Sequence, residues 1–204
     1  MEELVESLKN TGVLKTPNII GAFLKIDRKD FVPKSLERSA YLDEALPIGE
    51  GQTISQPYTV AFMFELLEPK RGEKIMDVGH GSGWTTALLS EIVGKEGKIY
   101  AFERVRELCK FGERNLKKYP ELFQRVSLFC RDASHDLPES IDGIICAAEL
   151  SEVPAEWREK IKIGGRLVYP KDGAIFKEIK TKENGFRKQK YPGFAFVPYI
   201  QDQA

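Results

Sequence analysis

The stretch KIMDVGHGSGW, residues 74–84, decides how the rest of the chain is read. Its first residues form an apolar run that predicts a buried strand. Three glycines, Gly79, Gly81 and Gly83, follow at once, and WTTALLSEIVG (84–94) then reads as a helix closed by Gly94. A buried strand that turns through glycines into a helix is the ligand-binding corner of a doubly wound α/β sheet. Without a Cβ, the glycines let backbone turn sharply and approach a ligand closely. A plain strand-to-helix turn is the alternative use for them.

Working outward, strands and helices alternate. KIYAFE (98–103), VSLFCRD (126–132), DGIICAAE (142–149) and GRLVYP (165–170) read as strands, with helices at 104–119 and 154–161. Such alternation predicts a mostly parallel sheet covered on both faces. AIFKEIKTKENGFRKQKY (174–191) reads as a hairpin turning at residues 184–185, which adds an antiparallel edge. Upstream, residues 1–10 and 19–26 read as short helices. EALPIGEGQTISQP (44–57) is extended chain and loop, and Pro57 opens a helix through Val60, Met63, Phe64 and Leu67. The expected fold is α/β and Rossmann-like, with an N-terminal helical extension and an antiparallel C-terminal hairpin. The expected organisation is one domain, 1–204: an extension with its loop (1–56), a ligand-binding core (57–170), and a hairpin with a tail (171–204).

Thirty-one basic residues balance 31 acidic ones, so the chain as a whole offers no electrostatic footprint for nucleic acid or an acidic membrane. No apolar run approaches the ~20 residues that span a bilayer. The three cysteines, Cys109, Cys130 and Cys146, lie far apart without a CxxC pair, which predicts reduced thiols, Cys146 being buried in its strand. The acidic, amphipathic MEELVESLKN is unlike a secretory leader. The expectation is a cytoplasmic monomer. His80 and His135, the only histidines, fall in loops expected near one sheet edge, and without a third ligand they predict no metal.

The glycine spacing narrows the ligand. A dinucleotide fingerprint, GxGxxG, would need its third glycine where Trp84 stands. Asp77, just before the loop, would repel a pyrophosphate but tolerate a cation. S-adenosyl-L-methionine carries an ammonium and a sulfonium, and it is favoured over a nicotinamide cofactor. Glu103, ending the second strand of the alternation, is placed to accept the hydroxyls of a ribose; a surface pair with Arg104 or Arg106 is the alternative. Asp132, ending the third, is placed for an adenine amine or for capping its own loop. Ser82, Arg104 and Ala133 are assigned to the same cofactor. In the loop GQTISQP (51–57), Ser55 either caps the helix that Pro57 opens or takes part in the chemistry.

LPIGEGQTISQP (46–57) together with DVGHGSG (77–83) resembles the protein-L-isoaspartate O-methyltransferases, over about residues 28–170, with a weaker echo in FAFVP (194–198). The resemblance implies methyl transfer from S-adenosyl-L-methionine to the α-carboxylate of L-isoaspartyl residues in damaged proteins, leaving S-adenosyl-L-homocysteine. The ester then closes to a succinimide that reopens partly to aspartate. It implies Ser55 as the active-site serine, Thr53 and Ile54 on the cofactor and substrate sides of its loop, and Asp77, Gly79, Gly81, Glu103 and Asp132 at the cofactor. Thr53, Ser55 and Val197 are the implied substrate contacts. Against the family pattern, Ala133 stands for a glycine, His80 for a small hydroxyl residue and Lys160 for a glutamine, and the glycine after GRLVYP is displaced.

This chemistry explains a polar loop with no base beside it. A carboxylate is ionised at neutral pH, with an unperturbed pKa of ~4, and is already the nucleophile. The loop need only hold one carboxylate oxygen while the other attacks. A different acceptor on the same fold, or a binding module without turnover, are the competing readings.

Overall fold

In the computed structural model, which describes residues 1–182 and 185–199, the chain opens with α1 (Glu2–Asn10) and α2 (Pro17–Lys25). Their apolar residues, Leu4, Val5, Leu8, Ile19 and Phe23, are buried. Phe23 meets Trp84 and Phe64 edge-on, at 5.5 and 6.3 Å between ring centres. Two 3-10 turns lead to a small antiparallel hairpin, β1 (Leu46–Gly49) and β2 (Gln52–Ile54). The stretch expected as extended chain and loop is therefore a tight hairpin carrying Thr53 and Ile54.

α3 (Pro57–Leu67) follows, then β3 (Lys74–Val78), α4 (Trp84–Val93), β4 (Lys98–Glu103), α5 (Arg106–Leu116), α6 (Pro120–Phe123), β5 (Val126–Cys130), β6 (Ile141–Cys146), α7 (Ala155–Lys160), β7 (Ile161–Lys171), β8 (Ala174–Lys182) and β9 (Gly185–Pro192). Seven strands form one sheet in the order β5-β4-β3-β6-β7-β8-β9. The first five run parallel, while β8 and β9 are antiparallel. The chain crosses from β3 to β4 on one side and later to β6 on the other. That reversal opens a crevice at the C-terminal end of β3, where doubly wound folds bind ligands.

Two differences from the sequence reading have local causes. β7 begins at Ile161 rather than residue 165, so α7 runs directly into it. The displaced glycine is Gly173: with Asp172 it forms the two-residue turn between β7 and β8, both at positive φ (67° and 49°), as a tight hairpin of right-handed twist requires. β8 and β9 pair as expected, and residue 184 of their predicted turn lies outside the described residues.

The thiol expectation is overturned for two of the three cysteines. Cys109 and Cys130 are joined as a disulfide; Cys146 is free and buried. Cys130 ends β5 in register with Glu103, and Cys109 lies six residues beyond Glu103 in the first turn of α5, so the fold brings the sulfurs together.

Candidate active site

A cavity of about 570 Å³ opens over the C-terminal ends of β3, β4, β5 and β6. Thr53, Ile54, Ser55, Gly79, Gly81, Ser82, Glu103, Arg104, Asp132, Ala133 and Val197 all line it. Asp77 does not. It is buried beneath the glycine loop, where Thr85 and Thr86 donate hydroxyl hydrogen bonds to its Oδ2 at 2.9 and 2.6 Å. Burial pushes its pKa up to about 6, against the opposing pull of the two threonines. Its influence on a ligand is through the field, not contact.

The glycine loop is arranged for a cation rather than a phosphate. Gly79, Gly81 and Gly83 hold positive φ of 78°, 49° and 87°, a conformation that costs glycine little. A Cβ on Gly81 would stand 3.1 Å from Ile48 Cδ1, so a side chain there would crowd the wall. Four of the loop's amides are already engaged. Gly79 and His80 donate to the Phe102 carbonyl, Gly83 to the His80 carbonyl, and Gly81 to Glu103 Oε2 at 3.0 Å. Val105 N–H holds the other Glu103 oxygen at 2.9 Å. Each oxygen thus has one backbone partner, which orients the carboxylate and leaves acceptor capacity for hydroxyls. The cavity, its acidic rim and the occupied amides fit S-adenosyl-L-methionine.

His80 fills the place of the family's small hydroxyl residue. It is buried against α5, and burial lowers its pKa to about 4, so the ring is neutral at physiological pH. Gly112 makes room for it: a Cβ there would lie 2.7 Å from both His80 Cε1 and the Gly81 carbonyl oxygen. His80 lines the cavity, whereas His135 is exposed and contacts Ser134, so the two share no site.

Asp132 uses Oδ1 twice, accepting from Ser134 N–H at 2.9 Å and from the Tyr199 hydroxyl. It caps its loop and lines the cavity at once. The Ala133 carbonyl accepts from Trp157 Nε1 at 2.6 Å. Arg131 donates to the carbonyls of Asp132, His135 and Asp136 and lies over Phe102 and Phe129. The loop that departs from the family pattern is therefore held from several sides.

Ser55 is half-buried on the opposite wall. It does not cap α3, whose N-cap residue is Gln56. Asp43 Oδ1 instead accepts the Tyr58 N–H at 2.8 Å, leaving the serine hydroxyl to the cavity. That amide, being taken, is not available to an anionic substrate.

Three residues were missed in the sequence. Arg28, fully buried, donates to the carbonyls of Ala40, Leu42, Glu44 and Ser55 at 2.8–3.2 Å and lies 5.3 Å from the centre of the Trp84 ring. It ties the N-terminal extension to the serine loop. Burial lowers its pKa to about 10, which keeps it charged. Asp43 and Tyr199 are the others. The only advance signal for Arg28 was its place between Ile26 and Phe31, both apolar at core spacing. Residues 1–42 do not line the cavity; α2 packs on α3 and α4, and Arg28 holds the loop. The tail is held by Glu149, whose N–H donates to the Val197 carbonyl and whose carbonyl accepts the Tyr199 N–H, both at 2.8 Å.

The model of the protein-L-isoaspartate(D-aspartate) O-methyltransferase family matches residues 1–204. A protein-L-isoaspartate O-methyltransferase of Methanopyrus kandleri is 38% identical, covering 99% of this chain and 92% of its own. One from Christiangramia forsetii is 40% identical over 99% and 94%. Among solved structures, a protein-L-isoaspartate O-methyltransferase superposes with a TM-score of 0.89, at 27% identity, over 98% of this chain and 65% of that one. A Plasmodium falciparum chain solved in complex with S-adenosyl-L-homocysteine has the same fold, with a TM-score of 0.88 over 98% of each chain at 23% identity. A whole-length family match, relatives near 40% identity and a shared fold together show that this chain belongs to the protein-L-isoaspartate(D-aspartate) O-methyltransferase family.

Proposed function

We propose a division of labour for the methyl transfer that this family performs, from S-adenosyl-L-methionine to the α-carboxylate of an L-isoaspartyl residue in a damaged protein. When bound, S-adenosyl-L-methionine supplies a methyl group on a sulfonium and is left as S-adenosyl-L-homocysteine. Glu103 accepts the ribose hydroxyls, Asp132 and Ala133 face the adenine, and Gly79, Gly81, Ser82 and Arg104 border the rest of the cofactor. Asp77 contributes negative potential from beneath the loop. Across the cavity, Thr53, Ile54 and Ser55 border the reacting carboxylate, with the Ser55 hydroxyl donating to one of its oxygens, and Val197 closes the far side.

The observation that carries this reading is that Ser55 and Glu103 line one cavity, and that Arg28, the arginine bonded to the serine, meets its backbone carbonyl and not its hydroxyl. A hydroxyl orients a carboxylate while leaving its nucleophilic oxygen basic; an arginine would grip it and lower that basicity. The attacking oxygen gains the methyl group, the carbon–sulfur bond breaks, and no proton moves. Positioning and exclusion of water carry the rate.

The remaining parts of the reading are one domain in three parts (1–56, 57–170 and 171–204), a monomer, and a cytoplasmic location. No helix among the described residues is long and apolar enough to cross a membrane. The disulfide withdraws the support that reduced thiols would have lent.

The test is transfer of labelled methyl to one peptide made with L-isoaspartate and again with L-aspartate. Label on the isoaspartyl form alone is expected. Ser55→Ala is expected to lower kcat about 10–100-fold while leaving cofactor affinity within threefold, the size of losing one hydrogen bond to a charged group, about 1.5–3 kcal/mol. Equal labelling of both peptides, or an unchanged Ser55→Ala enzyme, overturns the assignment.

A further inference from the structure

Beside the active cavity runs a second groove, and the same two chain segments wall both. On one side the wall passes from Thr53–Gln56 in the cavity to Gln56, Tyr58 and Phe62 in the groove. On the other it passes from Ala195–Val197 in the cavity to Tyr191–Phe194 in the groove. Gln56 borders both. The groove thus continues the cavity along the same two segments.

The groove has its own chemistry. Four of its lining residues are aromatic: Tyr58, Phe62, Tyr191 and Phe194. Phe62 packs against the other wall's rings, 5.4 Å from Tyr191 and 5.0 Å from Phe194, centre to centre, so the walls meet there and the rings form the groove's floor. All four are only partly covered. Among the described residues no Lys, Arg, Asp or Glu lines it, whereas Asp43, Glu44, Glu103, Arg104, Arg131 and Asp132 border the active cavity. Half-exposed rings without charges gain most from covering by another apolar group.

We propose that this groove is a specificity subsite for the substrate polypeptide, taking an aromatic or branched apolar side chain that lies within about three residues of the isoaspartate. The proposal rests on the methyltransferase reading of Ser55. The span follows from the chain: Tyr58 is three residues after Ser55, so their Cα atoms are at most about 11 Å apart, the length of about three extended residues. The subsite would make the enzyme favour damage sites with an apolar neighbour. Such neighbours belong to a protein's interior, so it would favour damaged chains that have partly unfolded over damage on intact surfaces.

The experiment uses the full chain and a seven-residue isoaspartyl peptide whose other positions are Ser or Gly. Phenylalanine is placed in turn at each of the six positions around the isoaspartate. Phenylalanine at one or more positions on one side is expected to lower KM about tenfold against the parent, as burial of part of one ring allows. Phe194→Ala and Tyr58→Ala, one from each wall, are expected to abolish that gain while leaving the parent peptide's kinetics within twofold. Turnover of the parent with no phenylalanine gain at any position overturns the subsite and leaves the methyltransferase reading standing. A gain that survives in both variants overturns it too. Failure to methylate any isoaspartyl peptide, parent included, overturns both.

Discussion

The two ends of the active cavity are built differently. At the donor end, Gly79, Glu103 and Asp132 sit within two residues of the ends of β3, β4 and β5. Their positions follow from the register of a parallel sheet, repeated strand by strand. At the acceptor end, Thr53–Gln56 and Ala195–Tyr199 belong to no strand of the main sheet. A few hydrogen bonds hang them from it, donated by Arg28 across 27 residues and exchanged with the backbone of Glu149. A donor site inherited from sheet geometry should survive local damage. An acceptor site hung from single side chains should fail with them.

Arg28→Met is the sharpest way to break the two ends apart. It strands the buried carbonyl of Ala40 and the partly buried carbonyls of Leu42, Glu44 and Ser55. Removing one partner from such a network costs about 3–5 kcal/mol, or roughly 10–15 °C in melting temperature for a chain of this size. Below the melting temperature, kcat on an isoaspartyl peptide is expected to fall at least about tenfold while calorimetric affinity for S-adenosyl-L-homocysteine stays within threefold. Arg28→Lys keeps the charge but cannot fork to four carbonyls, and should fall between. Equal losses in binding and turnover would mean that the two ends are one mechanical unit.

Cys109→Ser loads the opposite end. The disulfide closes a separation of 21 residues, for which loss of chain-entropy restraint is about 3 kcal/mol. Asp132 lies two residues beyond Cys130. Denaturant unfolding should show the full loss, and cofactor KM should rise with peptide KM little changed. Reductant on the wild-type chain should reproduce both effects; its failure to do so would assign them to the serine instead.

The same division explains what could be read in the sequence. The donor end was legible because its signal is local: a strand, three glycines, a helix, and acids at the ends of the next two strands. The mostly parallel sheet and its terminal hairpin were legible for the same reason. Arg28, Asp43 and Tyr199 were not, because each acts on partners 12 or more residues away, and nothing in spacing says that a lone arginine meets a serine loop. The disulfide was missed because Cys109 and Cys130 become neighbours only when β5 takes its register beside β4. Asp77 was legible as an acid near the cofactor but not as one beneath the loop, since two threonines on α4 turn it inward.

Asp77→Asn tests the donor end by pH. Below about pH 4 the carboxyl is protonated in the folded and unfolded chain alike. Between about pH 4 and 6 the unfolded chain releases its proton while the folded one, with its pKa pushed up to about 6 mainly by burial, holds it. Stability attributable to this group is thus present at low pH and lost as pH rises through that window, by about 3 kcal/mol in all. The variant should lack this slope, gaining on wild type from pH 4 to pH 6 and running parallel above. A cationic cofactor reverses the preference, so wild-type affinity for S-adenosyl-L-methionine should weaken below about pH 6 and the variant's should not. A parallel pair of stability curves from pH 4 to 7 would show that Asp77 is charged throughout.

Tyr199→Phe is the smallest change and bears on whether the two ends communicate. The Tyr199 hydroxyl donates to Asp132 at the donor end, while its backbone N–H anchors the tail that carries Val197 at the acceptor end. Burial and the neighbouring Asp132 carboxylate raise its pKa well above the ordinary phenol value, so it remains a donor at every working pH. Phenylalanine keeps the ring against Trp157 and the backbone bond, and removes only the hydroxyl. Asp132 then retains its Ser134 N–H, and the net loss is about 1 kcal/mol. If the ends are independent, cofactor KM rises about fivefold and peptide KM is unchanged. If the hydroxyl also fixes the tail, peptide KM rises by a similar factor, and saturating cofactor lowers it, because cofactor binding would then order Asp132, Tyr199 and Val197 together.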